Sequence, residues 1–257
     1  METTGVLDVI FRWVHVVAGI TWIGHLYFFN WVNGPFQGTI DGPTKKAVNP
    51  QLLPRALYWF RWGAAWTYIT GLLLLLLVFY HGGLAVERGW SAGAIIMILV
   101  ALVVSFVVYD QLAKSELGKN NQNFAYLSLA LVAVVILCFF YIGGFSYRGA
   151  LIHTGAMFGT SMAANVWMRI WPAQQKIVAA VRDGNPPDAA LVGMAGTRSR
   201  HNTYMSVPLV FTMINAHTTA LGGTSPIYNT ILLVVVIGVA WYVVQQLYAK
   251  AAKVPGF

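Results

Sequence analysis

The sequence predicts an all-α integral membrane protein, a bundle of about seven transmembrane helices with its N-terminus outside and its C-terminus in the cytoplasm. Of its 257 residues, 58% are hydrophobic and 9% are charged, whereas a soluble domain carries about 25% charged residues. Apolar segments of roughly 20 residues, enough for a helix to cross a bilayer, recur along the chain. Basic residues concentrate in alternate loops, as in membrane proteins generally. These observations exclude an ordinary soluble enzyme and a disordered chain.

Seven segments fit a membrane-spanning helix. They are Leu7–Val32, Trp59–Tyr80, Gly93–Asp110, Phe124–Gly143, Ala150–Ile170, Tyr204–Leu221 and Ile227–Tyr248. The fifth and sixth are rich in small and polar residues, so we expect them to line the protein interior rather than to face lipid. We expect a single transmembrane domain over residues 1–257, with a cytoplasmic loop at about 172–200 that contains a short amphipathic helix. A turn sequence from Asp183 to Pro187 should end that helix.

The distribution of charge predicts the orientation of the chain. Thirteen of the sixteen Lys and Arg residues fall in the first, third and fifth loops, at the adjoining helix edges or after the last helix; the opposite side holds Arg12, Arg88 and Arg148. Positive charge gathers on the cytoplasmic side of membrane proteins. An odd number of helices with a cytoplasmic C-terminus fits this bias. The same rule accounts for the net charge of +8, so we expect membrane lipid as a partner and no nucleic acid.

Histidines are the candidate metal ligands. His15, His81, His153 and His217 fall in the outer half of the predicted bundle, on four different helices. A haem between helices takes axial imidazoles from two of them at matching depth. The chain has no C-x-x-C-H motif, so a covalently attached c-type haem is excluded. We expect a b-type haem whose iron is bound by His15 and His153, with His217 as the substitute for either. The alternative is that each histidine only forms a hydrogen bond to a neighbouring helix.

One face of the first helix carries residues that suit a haem. Asp8, Arg12, His15, Gly19 and Trp22 fall within about 80° of one another at 100° per residue, and we expect this face to point into the bundle. Gly19 would leave space beside the porphyrin, and Arg12 would pair with a propionate. Alternatively, Arg12 and Asp8 only anchor the helix end at the membrane surface.

The fifth helix shows a stripe of small residues opposite its histidine. Gly155, Gly159 and Ala163 repeat every four residues, while His153 lies on the other face. Such a stripe allows two helix backbones to approach closely. We therefore expect this helix to use one face for packing and the other for a ligand.

Four stretches of the chain carry a family resemblance. They are R-W-V-H-V-V-A-G-I-T-W-I-G at 12–24, the Trp-rich run at 59–71, I-H-T-G-A-M-F-G-T-S-M-A-A-N-V at 152–166 and S-R-H-N-T-Y-M-S-V-P-L-V-F-T-M-I-N-A-H at 199–217. Together they resemble the membrane domain of the bacterial membrane-bound, cytochrome c-linked urate oxidases. In that family the membrane domain precedes a soluble cytochrome c domain. Urate is oxidised to 5-hydroxyisourate, and the electrons leave through the cytochrome.

The resemblance implies an oxidoreductase of the bacterial inner membrane that acts on urate or a related small molecule. It gives functional weight to His15, His153, His201, Asn202 and His217. The sequence ends at Phe257 without a cytochrome domain, so we expect electrons to pass to a separate cytochrome c or other electron-transfer protein. The chain could then be one subunit of a larger complex.

The start of the sixth helix is the candidate substrate site. Asn202 and His201 offer donors and acceptors that match the edge of a purine, and Arg200 would pair with an anion. Alternatively, these residues only cap the helix and follow the positive-inside rule.

Two other functions remain open for the whole chain. It could be a non-catalytic cytochrome b subunit or membrane anchor that relays electrons within a respiratory complex. It could also be a transporter without a cofactor. A rhodopsin-type Schiff base is excluded because the last helix has no lysine before Lys250.

Overall fold

A computed structural model of the protein describes residues 3–87 and 89–255. Arg88, one of the basic residues assigned to the outer side, lies outside the described residues. Within them, regular structure is helical apart from one isolated antiparallel bridge between Val86 and Phe145. This confirms the predicted all-α membrane class.

The helices follow one another with short connections. Within the described residues the α-helices are α1 (Thr3–Tyr27), α2 (Gly34–Thr39), α3 (Gly42–Leu74), α4 (Ala92–Leu99), α5 (Ser105–Lys114), α6 (Asn121–Tyr141), α7 (Tyr147–Asn165), α8 (Trp171–Arg182), α9 (Ala189–Asn215) and α10 (Pro226–Ala251). Stretches of π-helix extend or join several of them: Phe28–Asn33, Leu75–His81, Val100–Val104 and Val166–Ile170. A 3₁₀ turn, Glu116–Lys119, precedes α6.

Five continuous helical rods in the described chain are long and apolar enough to cross a membrane. They are Thr4–Thr39, Gly42–His81, Ala92–Lys114, Asn121–Tyr141 and Pro226–Ala251. The remaining two predicted spans overlap with α7 and α9, which carry buried polar side chains such as Thr154, Asn165 and Asn202. The predicted total of about seven helices is confirmed. The side on which each terminus lies stays a prediction.

The second span begins earlier than its hydropathy indicates. α3 starts at Gly42 rather than at Trp59, and it contains Pro50 and Pro54. Lys45 and Lys46, which the sequence placed in a loop, are therefore helical. An apolar run marks only the part of a helix that lies in lipid, and a polar extension in water leaves no such signal. Hydropathy consequently underestimates this helix at its polar end.

The chain forms two compact units. Unit 1 comprises Met1–Leu73, Met162–Met205 and Val243–Phe257. Its core contains side chains that are at most 2% exposed, namely Trp22, Leu26, Phe60, Met162, Val166 and Val244. Burial of these groups stabilises the unit through dense packing, since lipid is as apolar as the side chains themselves.

Small residues bring α1 and α3 close together in unit 1. A Cβ atom on Gly63 would lie 3.0 Å from the Trp22 backbone nitrogen, and one on Gly71 would lie 3.0 Å from Cε1 of His15. One on Gly19 would meet the Thr67 methyl group at 3.8 Å. Gly63, Thr67 and Gly71 repeat every four residues and so form one stripe on α3. The face of α1 predicted to point inward is thus the face that contacts α3.

Unit 2 comprises Leu74–Ser161 and Ser206–Tyr242. Its core contains Ile136, Phe139, Leu151, Leu233 and Ile237, all at most 1% exposed. A Cβ atom on Gly155 would collide with the hydroxyl group of Thr212 on α9. The glycine stripe predicted on α7 is therefore a packing surface.

A helix also lies in the predicted cytoplasmic loop of unit 1. α8 ends at Arg182, and Gly184 follows with a φ of +79°. A side chain there would also meet the Lys46 ammonium group at 2.9 Å, so this turn requires glycine. The Arg182 guanidinium bonds the Asp183 carboxylate at 2.8 Å. That bond, with the charge of Lys46, holds the pKa of Asp183 below its ordinary value.

Candidate functional site

His15 is held in one tautomer by α3. The Thr70 hydroxyl lies 2.6 Å from the carbonyl oxygen of Trp66, a bond in which only the hydroxyl can donate. It therefore accepts from His15, whose Nδ1 lies 3.2 Å away. With the proton on Nδ1, a neutral imidazole carries its lone pair on Nε2. His15 thus offers Nε2, the nitrogen that an axial ligand needs.

The His15 ring is fixed by close contact with a glycine. Gly71 faces Cε1 so closely that a methyl group there would press on the ring. Thr67 fills the space beside Gly19. Gly19 therefore serves the contact between α1 and α3 in this arrangement, and its predicted role beside a porphyrin stays a prediction.

Arg12 forms an ion pair one turn before His15. Its Nε lies 2.7 Å from Oδ1 of Asp8, and both side chains are about one-third exposed, at 36% and 32%. A pair of this exposure and i, i+4 spacing contributes a few tenths of a kcal/mol. The pair neutralises the cation near the helix end, as the anchoring interpretation expects.

His153 is enclosed in unit 2. It is 0% exposed, and its ring centroid lies 4.3 Å from that of Phe145 and 5.9 Å from that of Phe139. Nδ1 lies 2.7 Å from the carbonyl oxygen of Gly149, one turn earlier, so this nitrogen donates. Nε2 then carries the lone pair, and it accepts a hydrogen bond from Tyr80, whose hydroxyl lies 2.9 Å away.

The environment of His153 does not fit an axial haem ligand. A backbone carbonyl on Nδ1 is what metal-ligating histidines usually have. Here, however, the opposite nitrogen is already bonded to Tyr80, and aromatic rings enclose the imidazole. Iron could reach Nε2 only after Tyr80 had moved. Of the two predicted ligands, His15 fits the group and His153 does not.

The other histidines of the predicted cluster lie at the surface of unit 2. His81 ends the π-helical stretch and is exposed, and His217 is exposed in the turn that follows α9. The sixth predicted span reached Leu221, but α9 ends at Asn215. His217 is therefore on a turn rather than on a helix, which a following run of glycine and threonine explains.

The side chains of the three predicted substrate residues point in different directions and differ in burial. Asn202 is 0% exposed; its Oδ1 accepts a hydrogen bond of 2.8 Å from Asn165, and its Nδ2 donates one of 3.0 Å to the carbonyl of Met162. Arg200 is exposed, with its guanidinium 5.0 Å from the Tyr248 ring centre. His201, between them, is partly buried. Successive helix positions are 100° apart, so the three side chains do not meet at one point.

These residues are not a helix cap. α9 begins at Ala189, so residues 200–202 lie in its interior. The capping alternative is therefore wrong. The helix starts earlier because Asp188, whose carboxylate accepts from the Ala190 backbone at 2.8 Å, provides the cap.

A comparison with known protein families bears on these residues. The family described as urate oxidase N-terminal matches residues 36–255. The chain belongs to the urate oxidase N-terminal family. The matched range begins within α2 and includes His153, Asn202 and His217, whereas His15 precedes it. No curated protein and no solved structure shows a significant match.

Two residues of this urate oxidase N-terminal chain were missed as site candidates. In the sequence Tyr80 only ends the second predicted span, although it bonds His153. Asn165 lies in the motif at 152–166, which assigns it no role, although it bonds Asn202. A polar residue inside an apolar span signals a partner on another helix, and Asn165 could have been found by that rule. Nothing in the sequence indicates which residue Tyr80 contacts.

Proposed function

We propose that the chain is the membrane part of an oxidoreductase that oxidises urate or a closely related purine and passes the electrons to a separate c-type cytochrome. The observation that carries this proposal is the urate oxidase N-terminal match over residues 36–255. The apolar helices support a location in a membrane, and we propose the bacterial inner membrane.

The reaction needs an electron acceptor but no oxygen atom other than that of water. Conversion of urate to 5-hydroxyisourate forms a bond between C5 and a water oxygen and releases two protons and two electrons. A c-type cytochrome takes one electron at a time, so two acceptor molecules balance each turnover. No peroxide is formed in this scheme.

The proposed substrate contacts come from α9. Arg200 is exposed and would pair with the negative charge of urate. His201, one position further, would bond a purine nitrogen or oxygen. Asn202 is turned inward onto Asn165 and Met162, so we assign it a positioning role: it fixes the rotation of α9 and therefore the direction of Arg200.

A b-type haem is part of the proposal, with His15 as an iron ligand. When bound, such a group would supply one-electron transfer. The support is the His15 tautomer, which leaves Nε2 available. Thr70 and Gly71 would orient the imidazole. We assign His153 no role as an iron ligand, because its Nε2 is bonded to Tyr80.

The test uses the purified protein in neutral detergent. We expect a Soret band, a b-type pyridine haemochrome spectrum and reduction of added ferricytochrome c that depends on urate. Arg200→Gln should weaken urate-dependent reduction while leaving the spectrum intact, and Arg182→Gln, which changes an exposed arginine elsewhere, is the matched control. A haem spectrum without turnover would favour the electron-relaying cytochrome b. Absence of both signals would reject the oxidoreductase in favour of the transporter.

A further inference from the structure

The exposed surface of α3 changes character along its length. Near its start, Gln51 and Arg55 are exposed. In the middle the exposed residues are aromatic, and towards the C-terminal end they are aliphatic: Tyr58, Trp59, Trp62 and Trp66, then Ile69, Leu73 and Leu76. Tyr and Trp gather where lipid headgroups meet acyl chains. The helix therefore crosses the headgroup region between Tyr58 and Trp66.

Arg61 lies at this level and contacts two tryptophans, Trp167 and Trp171, which we call the tryptophan clamp. Its guanidinium carbon is 3.9 Å from the ring centre of Trp171, in face-on cation–π contact. Its carbonyl oxygen accepts a 3.1 Å hydrogen bond from Nε1 of Trp167. The π-helical stretch Val166–Ile170 and the start of α8 supply these two rings. Trp171 covers one face of the guanidinium, and Trp167 holds the Arg61 backbone.

Arg61 has no carboxylate partner among residues 3–87 and 89–255. Elsewhere in this range Arg12, Lys114, Lys119 and Arg182 are each paired with a carboxylate. The Arg61 Nε is buried and has no hydrogen-bond partner. Stacking on Trp171 uses the face of the guanidinium and leaves its edge, with several N–H donors, unsatisfied. A partly buried cation at the headgroup level calls for an anion there.

We propose that Arg61 and its tryptophan clamp form a binding site for the phosphate of an anionic phospholipid. The fixed edge of a guanidinium matches two phosphate oxygens in a bidentate pair. The uncompensated charge favours a lipid with net negative charge over a zwitterionic one. The exposed rings of Trp62 and Trp66 would contact the acyl chains of the same lipid. A free phosphate ion has no acyl chain, so it would gain no binding energy from those rings.

The experiment measures lipid binding by native mass spectrometry of the detergent-solubilised protein. Phosphatidylglycerol, phosphatidylcholine and inorganic phosphate are titrated separately. We expect the wild-type protein to prefer phosphatidylglycerol over phosphatidylcholine by about tenfold, because both phosphates can accept the bidentate pair but only phosphatidylglycerol brings a net negative charge to Arg61. Arg61→Gln should abolish this preference. Arg182→Gln, which removes an exposed and paired arginine, should retain it.

Two outcomes would overturn the proposal. One is an equal affinity for the two lipids in the wild-type protein, or a preference that survives Arg61→Gln. The other is phosphate binding at Arg61 without any lipid preference, which would indicate a soluble anion. If Arg61→Gln fails to fold, Arg61→Lys keeps the charge without the planar fork. We expect this variant to keep a preference for phosphatidylglycerol but to bind that lipid several-fold more weakly than the wild-type protein, because the bidentate pair is lost while the charge remains. An unchanged affinity would equally contradict the proposal.

Discussion

At the scale of single residues, His15 and His153 share one feature and differ in another. Both place the proton on Nδ1, the first through Thr70 and the second through Gly149. They differ at Nε2, which in His153 accepts from Tyr80. A histidine is a ligand only if its lone pair is accessible. The hydrogen bond from Tyr80 therefore distinguishes the two candidates, although both are histidines on membrane helices.

The first prediction tests this distinction. We expect His15→Ala to abolish the haem spectrum, because it removes the accessible Nε2. His153→Phe should retain it, since a phenyl ring fills much of the same aromatic enclosure, although the lost hydrogen bond to the partly buried Tyr80 should cost about 1 kcal/mol of stability. The pyridine haemochrome assay and thermal unfolding in detergent measure the two effects.

Tyr80→Phe is the decisive control for that prediction. It frees Nε2 of His153 without removing the imidazole. If His153 were an iron ligand, this variant would bind haem more tightly or shift the Soret band. We expect neither, and a clear gain of haem affinity would restore His153 as a ligand.

The second prediction concerns two glycines. Gly71→Ala should displace the His15 ring, because the new methyl group would lie 3.0 Å from Cε1. Gly24→Ala meets nothing within 4 Å, so it should stabilise α1 by about 0.5–1 kcal/mol through helix propensity. The spectrum of bound haem checks the effect of Gly71→Ala, and thermal unfolding measures the stabilisation by Gly24→Ala. Equal effects of the two substitutions on the haem spectrum would contradict the position assigned to the His15 ring.

At the scale of helices, polar contacts decide how α7 and α9 meet in unit 1. Asn165 and Asn202 are both 0% exposed and joined by a 2.8 Å hydrogen bond. Within a membrane protein such bonds between helices contribute about 0.6 kcal/mol on average and up to about 1.7 kcal/mol. Their larger effect is on rotation, since both ends of the Asn202 amide bond to α7.

The third prediction is a double-mutant cycle on this pair. Asn165→Leu and Asn202→Leu should each destabilise the protein. The double variant should lose less than the sum, with a coupling of about 0.5–1.5 kcal/mol. Unfolding in mixed micelles measures the free energies. Asn202→Leu combined with Arg182→Gln is the control and should be additive; a zero coupling for the asparagine pair would show that the bond contributes nothing.

At the scale of the whole molecule, the orientation in the membrane decides which side the functional residues face. Thirteen of sixteen basic residues fall on the side predicted to be cytoplasmic. The exposed aromatic residues of α3 lie next to the basic end of that helix, which is where an interface belongs. From both observations we predict that Arg61 lies at the cytoplasmic headgroups.

The fourth prediction is therefore a topology. A fluorescent protein fused after Phe257 should fluoresce, and alkaline phosphatase at the same position should be inactive, because the charge distribution predicts a cytoplasmic C-terminus. A phosphatase fused after Gly83, beyond the end of the Gly42–His81 rod, should be active. The reverse pattern would move the predicted outer histidines to the cytoplasm and reject an external cytochrome c as acceptor.

Hydropathy predicted the class and most of the helices, because transfer of a segment into lipid depends on that segment's own side chains. It failed at Gly42 and Asn215, because these helix ends depend on caps and turns rather than on apolar side chains. Motifs indicated the family that the comparison confirms over residues 36–255.

The candidate site, in contrast, required the assembled helices. Tyr80 lies 73 residues from His153, and Asn165 lies 37 residues from Asn202. Whether a histidine nitrogen is accessible, or an asparagine faces inward, depends on partners that other helices contribute. Residues 200–202 are adjacent in the chain yet point in three directions, because helical rotation separates neighbours by 100°. Local chemistry thus identifies candidate residues, while packing between helices determines which of their atoms remain available.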